Sequence, residues 1–509
     1  MKSNKNSLKV RYTYKLLTNL IGIPIGLITQ SLIPRGLGTK LYGDFSFISG
    51  FFQNFTSFID FGSSNAFYDK LSKRPNEALL RKFYWKLIGF ISVLFSFLVL
   101  LLIYSNMGST IWPDQLPKYI IMGLIFGFLY WYSQIMLKVI DAYALTKKGE
   151  LVRIIQRFLR LFIILPMYFF DLFTLDIFFI YNYVILLFSI ICWIYILYNA
   201  GISVFPRVNL SINDFKIYSN EFYLYCLPLI IYSSIALIAG VFDRWILQIS
   251  SGSIEQGYYG IAYQISTICF IFTSAMTPLI FREFSVQIKQ NNLKRIRAIF
   301  KKYIPMLYSI SAYFGVFIAI NSDVVGFIVG GEEFSDAYIC IAIMALYPIH
   351  QTYGQLSSSL YYSTDRTSLY KNIGGSILII GIPLSFLFIS NEYGLNLGGV
   401  GLALKMVLIQ LIQTNLLLYY NTKFLKEKYS YFVLHQIYSV LFFVIIGLFT
   451  DFVTNQIFSN YILSFFISGL LYTIMVIYFV FIFPNIFALD REGVITLKNQ
   501  FINFFKKWF

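Results

Sequence analysis

Charge is scarce in this chain. Of its 509 residues, 13% are charged and 58% are hydrophobic, too little polar surface to cover a water-soluble domain. A soluble globular protein is therefore excluded. Histidine occurs twice and cysteine four times. Cys192, Cys226, Cys269 and Cys340 sit inside apolar runs without paired spacing. That pattern suits neither a disulfide framework nor a metal motif, and they read as small buried hydrophobes. No GxxxxGK[ST] loop is present, so no ATP hydrolysis is expected of this chain and no cofactor is implied. Long polar loops are also missing; the longest run to about twenty residues. An integral membrane glycosyltransferase or polymerase would need a larger extramembrane region with clustered carboxylates. The basic residues Lys2, Lys5, Lys9 and Arg11 precede an apolar run with no small-residue cleavage site after it. That run reads as a first permanent span rather than a cleaved leader.

What the chain has instead is apolar runs that approach the roughly twenty residues needed to cross a bilayer as helix. Fourteen are legible, near 14–34, 43–66, 83–104, 118–138, 151–171, 176–198, 218–241, 258–281, 303–329, 337–361, 372–390, 396–420, 431–451 and 459–483. The expected fold is an all-α integral membrane protein with 14 transmembrane helices. Span two carries Asp44, Gln53, Asn54 and Asp60, so one of its faces should meet a water-filled cavity rather than lipid.

Basic residues outnumber acidic ones, 40 to 24. With a cytoplasmic N-terminus, 35 of the 40 fall on cytoplasmic segments and adjoining span ends. Arg35, Lys40, Lys118 and Arg244 fall on the other side, and Lys405 lies inside a span. The positive-inside rule then sets the orientation, with both termini cytoplasmic. The net charge of +16 is topological, with anionic membrane lipids as its partners and no nucleic acid implied.

The chain also echoes itself. Tyr42–Ser57, YGDFSFISGFFQNFTS, and Tyr259–Ser274, YGIAYQISTICFIFTS, agree at seven of sixteen positions, at a spacing of 217. Pro166 and Pro383 are separated by the same 217. Six spans precede residue 200 and six lie between 218 and 420, so both units enter the membrane in the same sense. We expect two six-helix lobes, 1–200 and 218–425, related by a parallel internal repeat, with two extra C-terminal helices and a tail in 426–509. Parallel repeats about the membrane normal are a transporter architecture with the substrate between the halves.

These residues resemble a known family. RGLGTKLYGDFSFI before and into span two, FIDFGSSNAFY at its end, FDRWILQISSGSIEQGYYGIAYQIS from span seven into span eight, and TPLIFREFS closing span eight are similar to the polysaccharide repeat-unit flippases of O-antigen and capsule type. Those belong to the multidrug/oligosaccharidyl-lipid/polysaccharide exporter superfamily. The resemblance covers essentially the whole chain. It implies a transporter, not an enzyme. Such a protein would move an undecaprenyl-diphosphate-linked oligosaccharide from the cytoplasmic to the outer leaflet by alternating access. The resemblance further implies a bacterial cytoplasmic (inner) membrane, coupling to a proton or sodium ion gradient, and polysaccharide polymerase machinery as a partner. A peptidoglycan-precursor or other lipid-linked glycan flippase remains open. So does a drug/ion antiporter, although that branch normally has twelve spans.

Such a substrate needs a polar cleft and cations for its diphosphate, because unpaired charge cannot cross hydrocarbon unaided. Lys405, with Gln410 and Gln413 after it, is a candidate diphosphate or glycan contact; an interhelical ion pair is the plainer alternative. His350, central in span ten, is the ion-coupling candidate, since imidazole titrates near neutrality; a hydrogen-bonded structural role competes. Gln351 and Gln355 could read sugar hydroxyls or join helices. Asp60, Asp243 and Arg244 become candidates for the cleft or its gates through the resemblance, against structural pairing at span ends. Arg35 and Lys40 flank the mouth between spans one and two. Arg153, Arg157 and Arg160 read as an interfacial anchor that could attract a diphosphate. Pro24 and Pro228 are hinge candidates.

The charge pattern carries a test of topology. In a chain lacking its native cysteines, Lys73→Cys and Lys294→Cys should resist an impermeant thiol reagent applied to intact cells. Labelling of either from outside reverses the orientation.

Overall fold

The computed structural model describes residues 8–105, 107–364 and 366–489. Among these the chain is helical and no strand occurs. The helices are α1 (Leu8–Asp60), α2 (Ser63–Lys73), α3 (Ala78–Tyr104), α4 (Gly108–Ile111), α5 (Pro117–Ala142), α6 (Thr146–Phe169), α7 (Leu175–Asn199), α8 (Ile212–Ile268) and α9 (Ile271–Lys289). They continue with α10 (Leu293–Ile320), α11 (Ser322–Gly330), α12 (Tyr338–Met344), α13 (Tyr347–Ser363), α14 (Thr367–Ile389), α15 (Gly398–Leu425), α16 (Tyr429–Ile457) and α17 (Tyr461–Ile482). Eight are individually long and apolar enough to cross a membrane: α3, α5, α7, α10, α14, α15, α16 and α17. Helix α6 is not among them, because Arg153, Arg157 and Arg160 interrupt its apolar stretch.

The ends of these helices obey local chemistry. Thr174 accepts from Ile177 N, Asn292 from Arg295 N, and Asn460 from Ile462 N and Leu463 N, each capping amides that have no intrahelical partner. The run near 337–361, read from sequence as one span, is broken. A 3₁₀ turn at Glu332–Ala337 leads into α12, and the helix restarts at α13 with Pro348 in its first turn. Proline has no amide to extend the preceding helix but suits a helix start.

Two compact units emerge. One comprises residues up to Gly257 together with Ile389–Asn396; the other comprises Tyr258–Phe388 and Leu397 onward. The first is filled by aromatics. Phe67 stacks on Tyr84 at 4.0 Å, Phe83 meets Phe222 at 5.3 Å, and the Phe52 ring lies over Trp112. The second packs Tyr308 on Tyr353 at 4.8 Å and Tyr313 on Tyr472 at 5.0 Å. Large apolar side chains also face outward, as with Phe90, Val93, Leu94 and Phe97 on α3. A soluble surface would not carry such a strip, but hydrocarbon solvates it.

Helices α1 and α8 share a device. Each breaks at a glycine of nearly the same conformation, Gly38 at φ 72, ψ 172 and Gly252 at φ 76, ψ −173, a region open to glycine and strained for other residues. Five residues further on, Gly43 and Gly257 let the two backbones touch reciprocally. A Cβ on Gly43 would overlap the Ser253 carbonyl, and one on Gly257 would overlap the Thr39 carbonyl. The correspondences Gly38/Gly252, Thr39/Ser253 and Gly43/Gly257 run at a spacing of 214, three fewer than the 217 of the sequence echo. Three residues is close to one helical turn, so both registers superpose the apolar faces. Backbone conformation separates them where side-chain identity does not.

Gly43→Ala and Gly257→Ala should each lower the thermal unfolding midpoint of the detergent-solubilised protein, by an overpacking cost of about 1–3 kcal/mol. Gly50→Ala, where a Cβ meets open space, should not. Equal midpoints for all three would mean that the crossing opens without cost.

Candidate functional site

The polar residues of the first unit gather in three places. The first is the α1–α8 crossing. Asp44 Oδ1 accepts from Gln115 Nε2 at 2.8 Å and from the Ser253 hydroxyl, and Gln248 Nε2 donates to Ser253 Oγ at 3.0 Å. The Arg244 guanidinium donates to Gln256 Oε1 at 3.0 Å and Ser46 Oγ at 3.4 Å, while Gln256 Nε2 returns a bond to the Arg244 carbonyl. Asp243 is buried beside it. Asn54 lies against Gly240, where a Cβ would come within 3.3 Å of its Nδ2. The amide and hydroxyl of Gln256 and Ser46 thus fix the direction of a cation inside the helical unit, a precondition for presenting it to an anion.

The second place is the α1–α2 turn. Phe61 and Gly62 both have positive φ, 45 and 78, and reverse the chain over two residues. Asp60 organises the start of α2. Its carboxylate accepts from Trp131 Nε1 at 2.9 Å, Ser64 Oγ at 2.8 Å, Ser63 Oγ at 3.3 Å and the Ser64 amide at 3.3 Å. Lys138 Nζ then donates to Ser64 Oγ at 2.7 Å and Asn65 Oδ1 at 2.8 Å. A carboxylate at a helix N-terminus completes free amides and opposes the positive dipole end. Beyond α2, Lys70 and Arg74 both bind Glu221 of α8, at 2.6 and 2.7 Å, and tie the start of α8 to this turn.

The third place is α6. Arg153 donates to both oxygens of Glu150, at 3.0 and 3.1 Å. Arg157 reaches α1, where it donates to the Thr18 carbonyl over Gly22. Arg160 carries a buried Nε with no hydrogen-bond partner. From sequence these three formed one interfacial anchor. In the structure α6 begins at Thr146 and the three arginines differ in their partners: Arg153 on Glu150, Arg157 on the Thr18 carbonyl, and Arg160 with an unpartnered Nε.

In the second unit, Lys405 is 3% exposed. Its stem crosses Gly381 of α14, where a Cβ would come within 3.0 Å of Lys405 Cε. Gln351 and Gln410 converge over Gly354, with their Oε1 and Nε2 at 3.3 and 3.0 Å from the position of a Cβ there. Gln355 is half-buried on the same helix, α13. The His350 ring lies 6.1 Å from that of Tyr308, and His350 Nδ1 is buried without a partner. The other histidine, His435, lies near the start of the run 431–451, where the sequence gives no signal for it. It is fully buried, also 6.1 Å from Tyr308, and 3.0 Å from the Ile486 carbonyl through Nε2. A carbonyl only accepts, so that nitrogen carries the proton. Sequence also missed a hydroxyl triplet, in which Thr352 Oγ1 lies 2.9 Å from Thr273 and 2.8 Å from Ser311; single Ser and Thr residues in apolar runs gave no signal.

The remaining candidates stay apart from these clusters. Arg35 and Lys40 are exposed, on either side of the Gly38 break. Pro24 lies inside α1 and is exposed. The Pro228 side chain lies outside the described residues.

This is the fold of a multi-pass helical membrane protein. It matches the lipid II flippase MurJ in an inward closed conformation with a TM-score of 0.67, over 92% of this chain and 98% of that one, at 14% identity. It matches an inward-facing multidrug resistance MATE transporter of the MOP superfamily with a TM-score of 0.61, over 81% and 94%, at 12% identity. At those identities the likeness is one of fold. Residues 11–284 match the family described as "Polysaccharide biosynthesis protein", and the chain belongs to that family. A relative from Haloferax volcanii, described as "Probable low-salt glycan biosynthesis flippase Agl15", is 25% identical over 206 residues. That match covers 39% of this chain and 42% of the relative, so the chain aligns with less than half of that protein.

Asp60→Ala should leave the Trp131 indole and two serines without their acceptor, at a cost of about 1–3 kcal/mol. Asp60→Asn, which keeps a carbonyl oxygen, should recover part. The unfolding midpoint measures both, and Trp131 emission should shift in the Ala variant. Unaltered midpoint and emission would mean that the Asp60 network contributes nothing to stability.

Proposed function

We propose that the protein is a flippase for a polyprenyl-diphosphate-linked oligosaccharide, an O-antigen or capsule repeat unit, moved from the cytoplasmic to the outer leaflet of a bacterial cytoplasmic membrane. The family match over residues 11–284 carries this reading. The Haloferax relative, itself described as a glycan flippase, supports it. So does the chemistry of the bundle, where Arg244 and Lys405 are cations held inside helical units. Diphosphate requires such cations, and its polyprenyl tail can remain in lipid throughout.

In this proposal the lobes 1–200 and 218–425 alternate in access while 426–509 stands outside the alternation. Arg244, Lys405 and Arg35 receive the diphosphate, and Lys40 assists at the outer mouth. Gln351 and Gln355 read glycan hydroxyls. Asp60 and Asp243 hold the walls of the cleft, His350 carries a coupling proton, and Pro24 and Pro228 flex. A proton or sodium gradient supplies the driving force, and a polymerase receives the flipped unit. The chain does no covalent chemistry in this scheme.

The test is complementation of a flippase-deficient strain, with membrane levels checked by immunoblot. Arg244→Ala and Lys405→Ala should each reduce surface polysaccharide at normal protein levels. Loss of one charge-assisted contact, worth about 1.5–3 kcal/mol, corresponds to roughly ten- to a hundred-fold in affinity. Arg244→Lys should recover part, since charge returns without the bidentate fork. Full complementation by both Ala variants removes these residues from the mechanism. Failure of the wild-type chain to complement strains lacking any lipid-linked glycan flippase overturns the function itself.

A further inference from the structure

Arg157 and Arg160 lie well inside a helix rather than at its end. Helix α6 runs from Thr146 to Phe169, and at 1.5 Å per residue Arg160 is about 21 Å from one end and about 14 Å from the other. Anchoring cations occupy the first turn, as Lys147 and Lys148 do. Arg157 and Arg160 are three residues apart and share a helix face. Glu150 is the single carboxylate on this face, and Arg153 takes both of its oxygens. Among the described residues no ion pair includes Arg157 or Arg160.

Arg157 needs Gly22 to lie flat on α1, since any side chain there would overlap its guanidinium. Its acceptor is the neutral Thr18 carbonyl. Arg160 lies within electrostatic reach of the phenols Tyr130 on α5 and Tyr181 on α7, and Tyr181 donates to the Arg160 carbonyl. Its buried Nε has no partner. A buried donor left unmade is costly unless something arrives to accept from it, and the one carboxylate of α6, Glu150, cannot balance three arginines, so the cluster keeps a net positive charge that calls for an anion.

We propose that Arg157 and Arg160, inside the first unit between α1, α5 and α7, form a diphosphate-binding subsite. The inference rests on the flippase reading and adds a place within it. Guanidinium forks match the paired oxygens of a diphosphate. The two phenols offer further donors, and Gly22 keeps the α1 wall clear. The anion arrives as a lipid headgroup or as free pyrophosphate; the chemistry of recognition is the same.

The full-length protein in lipid nanodiscs is titrated calorimetrically with inorganic pyrophosphate and with farnesyl diphosphate at fixed salt. Arg157→Gln and Arg160→Gln should each weaken binding roughly ten- to a hundred-fold. The double variant should abolish it, Arg160→Lys should restore part, and Arg153→Gln should stay within about twofold of wild type. Binding of both probes supports a site that reads the headgroup alone. Binding of farnesyl diphosphate alone supports one that requires the lipid. If the double variant does not assemble, Gly22→Val, which displaces Arg157 without removing charge, must weaken binding instead. Wild-type affinity in the double variant, or in Gly22→Val, overturns the subsite and leaves the flippase reading standing. A wild-type protein that binds neither probe overturns the diphosphate substrate as well.

Discussion

Hydrocarbon offers no hydrogen bonds. Every polar atom carried into it must find its partner within the protein, at a cost of several kcal/mol where it does not. That constraint explains the density of the buried networks. Asp60 is a carboxylate in an apolar helix, and it is tolerated because an indole, two hydroxyls and an amide converge on it. Asp44 is satisfied by a glutamine and a serine from other parts of the chain. These bonds also hold helices together where apolar packing alone is weak. Lipid tails are as apolar as leucine, so helix association in a bilayer depends on close fit and on polar contacts. The reciprocal seating of Gly43 and Gly257 supplies the fit, and the Asp44–Ser253 bond beside it supplies the polar contact.

Much of this was legible in the amino-acid sequence, and the reason is the same constraint. A charge inside an apolar run is expensive, so Asp60, Arg244 and Lys405 stand out as candidates before any coordinate. Their partners were not. Trp131 lies 71 positions from Asp60, and nothing local marks one tryptophan among six as the donor. The echo at a spacing of 217 pointed to spans two and eight, yet the matching backbone breaks run at 214. Apolar periodicity cannot resolve a slip of nearly one turn, whereas a glycine with positive φ can. Span ten was read as continuous because apolar content does not report the phase of a helix; Pro348 was the available signal.

The partners of the α6 arginines are illegible in the sequence for a different reason. Hydropathy begins where residues turn apolar, near 151, but hydrogen bonding begins at Thr146, because Lys147, Lys148 and Gly149 can all be helical without being apolar. The extra turn and a half brings Glu150 onto the same helix, three residues before Arg153, and so supplies the partner of that arginine. His435 is hidden by the same distance between a residue and its partners. It stands six residues into α16, close to a span end by composition, yet the Ile486 carbonyl and Ser309 enclose it.

A protein that is to bind an anion cannot neutralise all of its buried cations internally. A cation already paired with a carboxylate has little to offer a passing anion, since the new contact must replace the old one, and breaking a buried pair costs about 3–5 kcal/mol. A cation that rests on a neutral carbonyl keeps its field and loses little on exchange. Arg157, seated on the Thr18 carbonyl, is of this second kind. Lys70 and Arg74 on Glu221 are of the first, and they tie helix to helix. Arg153, which takes both oxygens of Glu150 one turn before Arg157, is of the first kind too. Two arginines four positions apart on one helix therefore differ in what they rest on, Arg153 on a carboxylate and Arg157 on a neutral carbonyl, and it is their acceptors, not their residue type or depth in the sequence, that separate them.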